Sequence, residues 1–109
     1  MGKFEIRTSI SGKTIFKLKA SNGQVILSSQ GYASKDGCKN GIESVRRNSQ
    51  DDERYERRTA KDGSPYFTLS ATNGQVVGKS QYYSSFIAME NGILSVKKNA
   101  PDAIVEDNS

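Results

Sequence analysis

The cleanest alternation along the chain runs through Phe16, Leu18 and Ala20 on one side and Lys17 and Lys19 on the other. A period of two predicts a half-buried strand. The same pattern returns at Phe67, Leu69 and Ala71, set against Thr68 and Ser70. Each of these strands follows an earlier one, Phe4 to Ser9 and Tyr55 to Ala60, with Gly12 and Asp62-Gly63 marking the turns. Asn22-Gly23 and Asn73-Gly74 come next and predict tight hairpin turns with positive φ at both residues. A third strand is expected over 25–30 and over 76–81. Its face is open, because Val25, Ile26 and Leu27 are consecutive.

The period then changes to that of a helix. Cys38, Ile42 and Val45 recur at helical spacing, and so do Phe86, Met89, Ile93 and Val96. Ser34 and Ser85 stand where an N-cap is needed. Gly41 and Gly92 lie inside these helices, where each costs about 1 kcal/mol relative to Ala. Their presence in both predicts that the helix backbone lies close on the sheet. Asn48 and Asn99 suit a left-handed C-terminal cap, and Pro101 stops the second helix. Residues 103–109 read as a frayed tail.

These parallels are one repeat. Shifted by 51 positions, the sequence overlays itself without a gap, and 22 of 48 overlaid residues are identical. A module of this size is marginal alone, and three strands leave open edges. Two like modules most often pair about a two-fold axis. The expected fold class is therefore α+β: two tandem βββα repeats, over 4–51 and 55–102, form one antiparallel six-stranded sheet with two helices on one face. The linker is 52–54, and the chain is expected to be a single domain and a monomer, an intrachain pseudo-dimer.

Composition narrows the chemistry. The 109 residues include 16 Lys and Arg against 12 Asp and Glu, a net charge of +4, with no His and a single Cys. The missing His removes the commonest general base and metal ligand. One Cys permits no intrachain disulfide and no thiolate zinc cluster. No apolar run reaches membrane-spanning length. The reading is a cytoplasmic protein with no catalytic residues, no cofactor, no metal and no membrane partner.

Several residues invite a chemical role. Cys38 could be a nucleophile, but its counterpart is Met89 and the favoured reading is a core residue. Glu5 and Glu56 could share acid–base work; Arg7 and Arg58 nearby favour ion pairing. Asp51, Asp52 and Glu53 read as a solvated linker rather than a cation site. Ser29, Gln30 and Tyr32, with Ser80, Gln81 and Tyr83, place polar groups and an aromatic at each strand-to-helix junction. They could line a small-molecule groove, or they could satisfy the junction backbone and pack the helix entry. The pairs Arg46-Arg47, Arg57-Arg58 and Lys97-Lys98 could contact a polyanion, helped by Lys17, Lys19 and Lys79 on the outer sheet face. Single-strand recognition also wants stacking aromatics, and only Tyr66 is well placed. The helix-end pairs equally complement the helix dipole.

The turn Asn-Gly-Gln-Val, the segment Ser-Gln-x-Tyr and the helix end Asn-Gly-Ile-x-Ser-Val, closed by two basic residues and Asn, each occur twice in order. From Phe4 to Asp102 the chain resembles the YegP-like family of small bacterial proteins of unknown function. The resemblance implies a single sheet whose helices are exchanged between modules. It brings no activity, cofactor or catalytic residue. The repeats differ at Gly31 and Lys35 against Tyr82 and Phe86, so a site need not be equal in both halves. The functional expectation is a non-catalytic binding or interaction module with a protein or small-molecule partner. The alternative is weak, sequence-tolerant nucleic-acid binding, and an enzyme ranks last.

Overall fold

The computed structural model describes residues 2–109. Its first half contains β1 (Lys3–Thr8), β2 (Thr14–Lys19), β3 (Val25–Ser28) and α1 (Lys35–Asn48). After a 3-10 turn at Asp52–Arg54, the second half contains β4 (Tyr55–Thr59), β5 (Pro65–Ser70), β6 (Val76–Lys79), α2 (Phe86–Asn99) and β7 (Ile104–Asp107). The strands form one sheet in the order β4-β5-β6-β3-β2-β1-β7. Without β7 that order is symmetric about the β3–β6 joint, as a pseudo-two-fold requires.

Seven strands replace the expected six, and the expected frayed tail is β7. It runs parallel to β1, from Lys3 opposite Ile104 to Ile6 opposite Asp107. The unpaired outer edge of β1 supplies the reason, since exposed strand edges offer ready hydrogen-bond partners. Charge fixes the strand there: Lys3 pairs with Glu106 at 3.2 Å and Lys35 with Asp107 at 2.9 Å. The opposite edge, β4, stays uncovered and carries exposed Glu56, Arg57 and Arg58. Charges of this kind discourage edge-to-edge association.

The hairpin turns also differ from expectation. Gly23 has φ +86° and Gly74 +85°, but no non-glycine residue among those described has positive φ. Ala20 N–H donates to Gln24 O and Gly23 N–H to Ala20 O, both at 2.9 Å. This is a three-residue loop ending on a left-handed glycine, not a two-residue turn. The side chain of Asn22 accepts from Gln24 N–H at 2.9 Å, which explains the asparagine without a positive φ. Beside the loop, Leu18 faces Leu27 while Lys19 faces Val25, leaving Ile26 as an inserted residue. That bulge lets Ile26 and Leu27 both point inward and accounts for the unbroken apolar run. Val77 is the inserted residue in the second copy.

The inward faces and both helices make one buried cluster, from Phe4, Phe16 and Leu18 to Phe67, Leu69 and the helix residues Ile42, Val45, Ile93 and Val96. Ser34 and Ser85 cap the helices by accepting from Gly37 N–H and Ala88 N–H, each at 3.0 Å. Asn48 and Asn99 are not left-handed caps. They remain helical and turn their side-chain amides back onto Ser44 O and Ser95 O at 2.8 Å. The glycine spacing does mark a close approach: a Cβ on Gly41 would stand 2.3 Å from Tyr32 Oη, and one on Gly92 2.2 Å from Tyr83 Oη.

The helices are shared between the repeats, not wholly exchanged. Helix α1 packs on β2 of its own repeat and on β5 and β6 of the other, while α2 packs on β5 and on β3. The joint itself depends on unequal residues at equivalent positions. Leu27 overlays Gly78, and the pseudo-two-fold brings the two together. A Cβ on Gly78 would lie 2.6 Å from Leu27 Cγ, so one leucine fills the space that symmetric residues would contest.

Candidate functional site

The junction residues divide between two faces. Ser29 Oγ accepts from Phe16 N–H at 2.9 Å and donates to Gln30 O at 2.8 Å. Ser80 repeats this with Phe67 N–H at 2.9 Å and Gln81 O at 2.7 Å. Both hydroxyls satisfy junction backbone. Tyr32 and Tyr83 stack on Phe16 and Phe67, with centroids 6.3 Å apart in each pair, beneath the helix glycines. Burial pushes both phenols above their ordinary pKa. Of the six, Gln81 and Tyr83 line a groove of about 320 Å³ against α2 at Ala88, Asn91 and Gly92. Ser29, Gln30, Ser80 and Gln81 do come together at the β3–β6 joint, where they border a groove of about 430 Å³.

The bulges and the joint shape this groove. Strands β3 and β6 pair only at Ser28 and Lys79, so they part on either side of that pair. Val25, Ser28, Val76, Lys79 and Tyr82 line the opening. A continuous register row crosses the sheet here: Glu106, Glu5, Lys17, Ser28, Lys79, Thr68 and Glu56. Its carboxylates are paired, Glu106 with Lys3 at 3.2 Å. Glu5 is only 4% exposed and accepts from Arg7 Nε at 2.6 Å and Lys19 Nζ at 3.2 Å. The Arg7 contact, opposed by burial and assisted by Lys19, holds its carboxyl below the usual range. Glu56 pairs with Arg58 at 2.5 Å. In the middle, Lys17 and Lys79 meet no carboxylate among the described residues.

Lys79 is held by aromatics instead. Its Nζ lies 5.0 Å from the Tyr66 ring centroid and 5.1 Å from that of Tyr82, and it donates to Tyr82 Oη at 3.1 Å. The two rings meet edge to face at 5.2 Å. The bond to Tyr82 raises the pKa of the ammonium, which stays charged at neutral pH. The first repeat has Ile15, Ser28 and Gly31 at the equivalent positions. The cluster thus exists once. Sequence reasoning placed Tyr66 and Lys79 on the open face but took Tyr82 only as a departure between repeats. Reading the changes at 15/66, 28/79 and 31/82 together would have revealed it.

The paired basic residues do not converge. Arg46 pairs with Glu43 at 3.2 Å, donates to Ala100 O at 3.1 Å and Pro101 O at 3.0 Å, and covers the Phe4 ring. Arg57 binds Glu90 at 2.5 Å and Asp52 at 3.1 Å, and Lys97 binds Asp52 at 2.9 Å. With Arg58 held by Glu56, four of the six are engaged internally, while Arg47 and Lys98 are exposed. Asp52 is exposed, as a solvated linker implies, and also pairs with two cations. Cys38 lies on the buried face of α1, and burial raises its thiol pKa, an inert setting for a cysteine.

Comparison with known proteins agrees with the duplicated architecture. A family profile described as a domain of unknown function, DUF1508, matches residues 10–56 and again 60–107. The chain belongs to this family. A UPF0339 protein of Bordetella pertussis is 49% identical over 108 residues, covering 99% of this chain and 96% of that protein. The UPF0339 protein YegP of Yersinia pestis is 47% identical over 107 residues, covering 98% and 96%. The solution structure of yegP from E. coli, a protein of unknown function, superposes with a TM-score of 0.94 at 47% identity, covering 98% of this chain and 92% of that one. The matched segments begin before β2 and β5 and end in β4 and β7. They frame each unit as a hairpin, a helix and a closing strand, a frame in which β7 belongs to the repeat.

Proposed function

We propose that this protein is a non-catalytic binding module of the cytoplasm, acting as a monomer, and that its ligand surface is the groove at the β3–β6 joint. The observation that carries the reading is the Tyr66–Lys79–Tyr82 cluster, a cation set between two rings at the rim of that groove. Tyr82 is 56% exposed although large and aromatic. Its position in the other repeat is a glycine, so the duplicated fold does not need it. The lining combines apolar floor, hydroxyls, amides and a lysine, without a carboxylate or thiol. Such a lining suits recognition: apolar surface supplies affinity and a few polar groups fix orientation. Polyanion binding through Arg46, Arg47, Arg57, Arg58, Lys97 and Lys98 has less support, because most of them already have partners. Screening small polar and aromatic compounds by amide NMR on labelled protein tests the proposal. Shift changes should gather at Ser28–Gln30 and Lys79–Tyr82; binders that perturb only the helical face would overturn it.

A further inference from the structure

We infer that the joint groove takes a planar ring bearing a phosphate, the chemistry shared by a free nucleotide and a single-stranded nucleic acid. The inference rests on the groove reading above and adds the ligand's class. Charge favours an anion at the joint. Along the central row Glu106, Glu5 and Glu56 are paired with other cations, while Lys17 and Lys79 flank Ser28 and, among the described residues, form no ion pair of their own. Their strands stand two sheet spacings apart, roughly 10 Å, so an anion above Ser28 is within reach of both flexible side chains. Ser28 adds a hydroxyl at the centre of the site.

An exposed ring stands beside it. Tyr82 presents an exposed aromatic surface at one end of the groove, braced edge-on by Tyr66. Bases of any sequence stack on such a platform. Val25 and the exposed Val76 provide an apolar floor beside it. The groove volume of about 430 Å³ suits a ligand of one ring and one anionic group. A neutral aromatic would leave Lys17 and Lys79 without a counter-ion, and a bare phosphate would leave the exposed face of Tyr82 uncovered.

The test uses the labelled full-length chain, titrated with adenosine 5′-monophosphate, an eight-residue oligothymidylate, adenosine and inorganic phosphate. Adenosine monophosphate or the oligonucleotide should shift Ser28–Gln30 and Lys79–Tyr82 and bind at least about tenfold tighter than adenosine or phosphate alone, as a charge-assisted contact added to stacking implies. Lys79→Met and Tyr82→Gly should each weaken this binding by about tenfold while leaving the remaining amide spectrum unchanged. The second variant copies the first repeat at an exposed site, so it tests the ring without endangering the fold. Tighter oligonucleotide binding that falls steeply with salt identifies a strand, because released counterions supply its affinity. Equal affinity for the monophosphate identifies a free nucleotide. Adenosine binding as tightly as its monophosphate, or a Lys79→Met variant with unchanged affinity, would overturn the class. If neither nucleotide shifts the groove but another screened compound does, the class fails and the groove reading stands. If no compound shifts it, both fail.

Discussion

Gly78→Ala tests whether the two repeats are fitted to each other at the joint. Glycine in a strand is unfavourable, so by backbone propensity alone the change should stabilise the protein by about 0.5–1 kcal/mol. The structure reverses that sign. The new methyl would lie 2.6 Å from Leu27 Cγ, 2.7 Å from Cδ2 and 3.0 Å from Cδ1. Leu27 is fully buried and cannot swing into solvent. Overpacking of this kind costs about 1–3 kcal/mol. Leu27→Ala alone should cost about 2–5 kcal/mol through lost burial and a cavity. The double variant should then lose clearly less than the sum, with a coupling of about 1–2 kcal/mol, because the methyl enters space the leucine has left. Urea denaturation followed by far-ultraviolet circular dichroism measures all three, and the chain has no Trp to serve as a fluorescence probe. A neutral or stabilising Gly78→Ala, or strict additivity, would refute the claim that unequal residues on the axis complete the core.

Three further outcomes are expected. Gly92→Ala should destabilise by about 1–3 kcal/mol despite alanine's better helix propensity, because its Cβ meets the Tyr83 ring; thermal melts showing a gain would mean the ring moves aside freely. Leu69→Ala should cost about 2–5 kcal/mol in the same urea assay, and a loss below about 1 kcal/mol would invert the assigned face of β5. Glu5→Gln should cost about 1–2 kcal/mol at neutral pH, with the exposure of Arg7 tempering the gain from its contact. The folded carboxyl titrates below its unfolded value, so its contribution is complete above about pH 5 and disappears as pH falls through the lower, folded pKa. Stability curves of wild type and variant should converge in acid; a gap that persists at about pH 2 would exclude the ion pairs as its source.

Local physics explains how much of this was readable beforehand. Strand alternation at Phe16–Ala20, the helical spacing of Cys38, Ile42 and Val45, and the capping serines are short-range signals, and the 51-residue offset doubles each of them. The element order and the glycine contacts follow. β7 was hidden because it is four residues long and pairs in parallel with a strand a hundred positions earlier, a non-local fact that its exposed Ile104 and Val105 do not announce. The hairpins differ in detail from the pattern because Asn-Gly suits a two-residue turn, whereas here Asn22 serves by its side chain and only Gly23 by its φ. The asparagines at the helix ends depart from the expected caps for a related reason: a side-chain amide can bond back to its own helix as readily as the residue can turn left-handed. Of the candidate site, the serines and glutamines at the joint were legible. Tyr82 was not, since its meaning depends on meeting Tyr66 and Lys79 from neighbouring segments.

Both halves build a single core. Amide hydrogen exchange on the full-length chain, measured by NMR through a series of low denaturant concentrations, addresses this residue by residue. The slowest amides of β2 and α1 and those of β5 and α2 should converge on one opening free energy, equal to that of global unfolding. A distinctly lower plateau for either half, reached while the other remains protected, would show that the repeats fold as separate units.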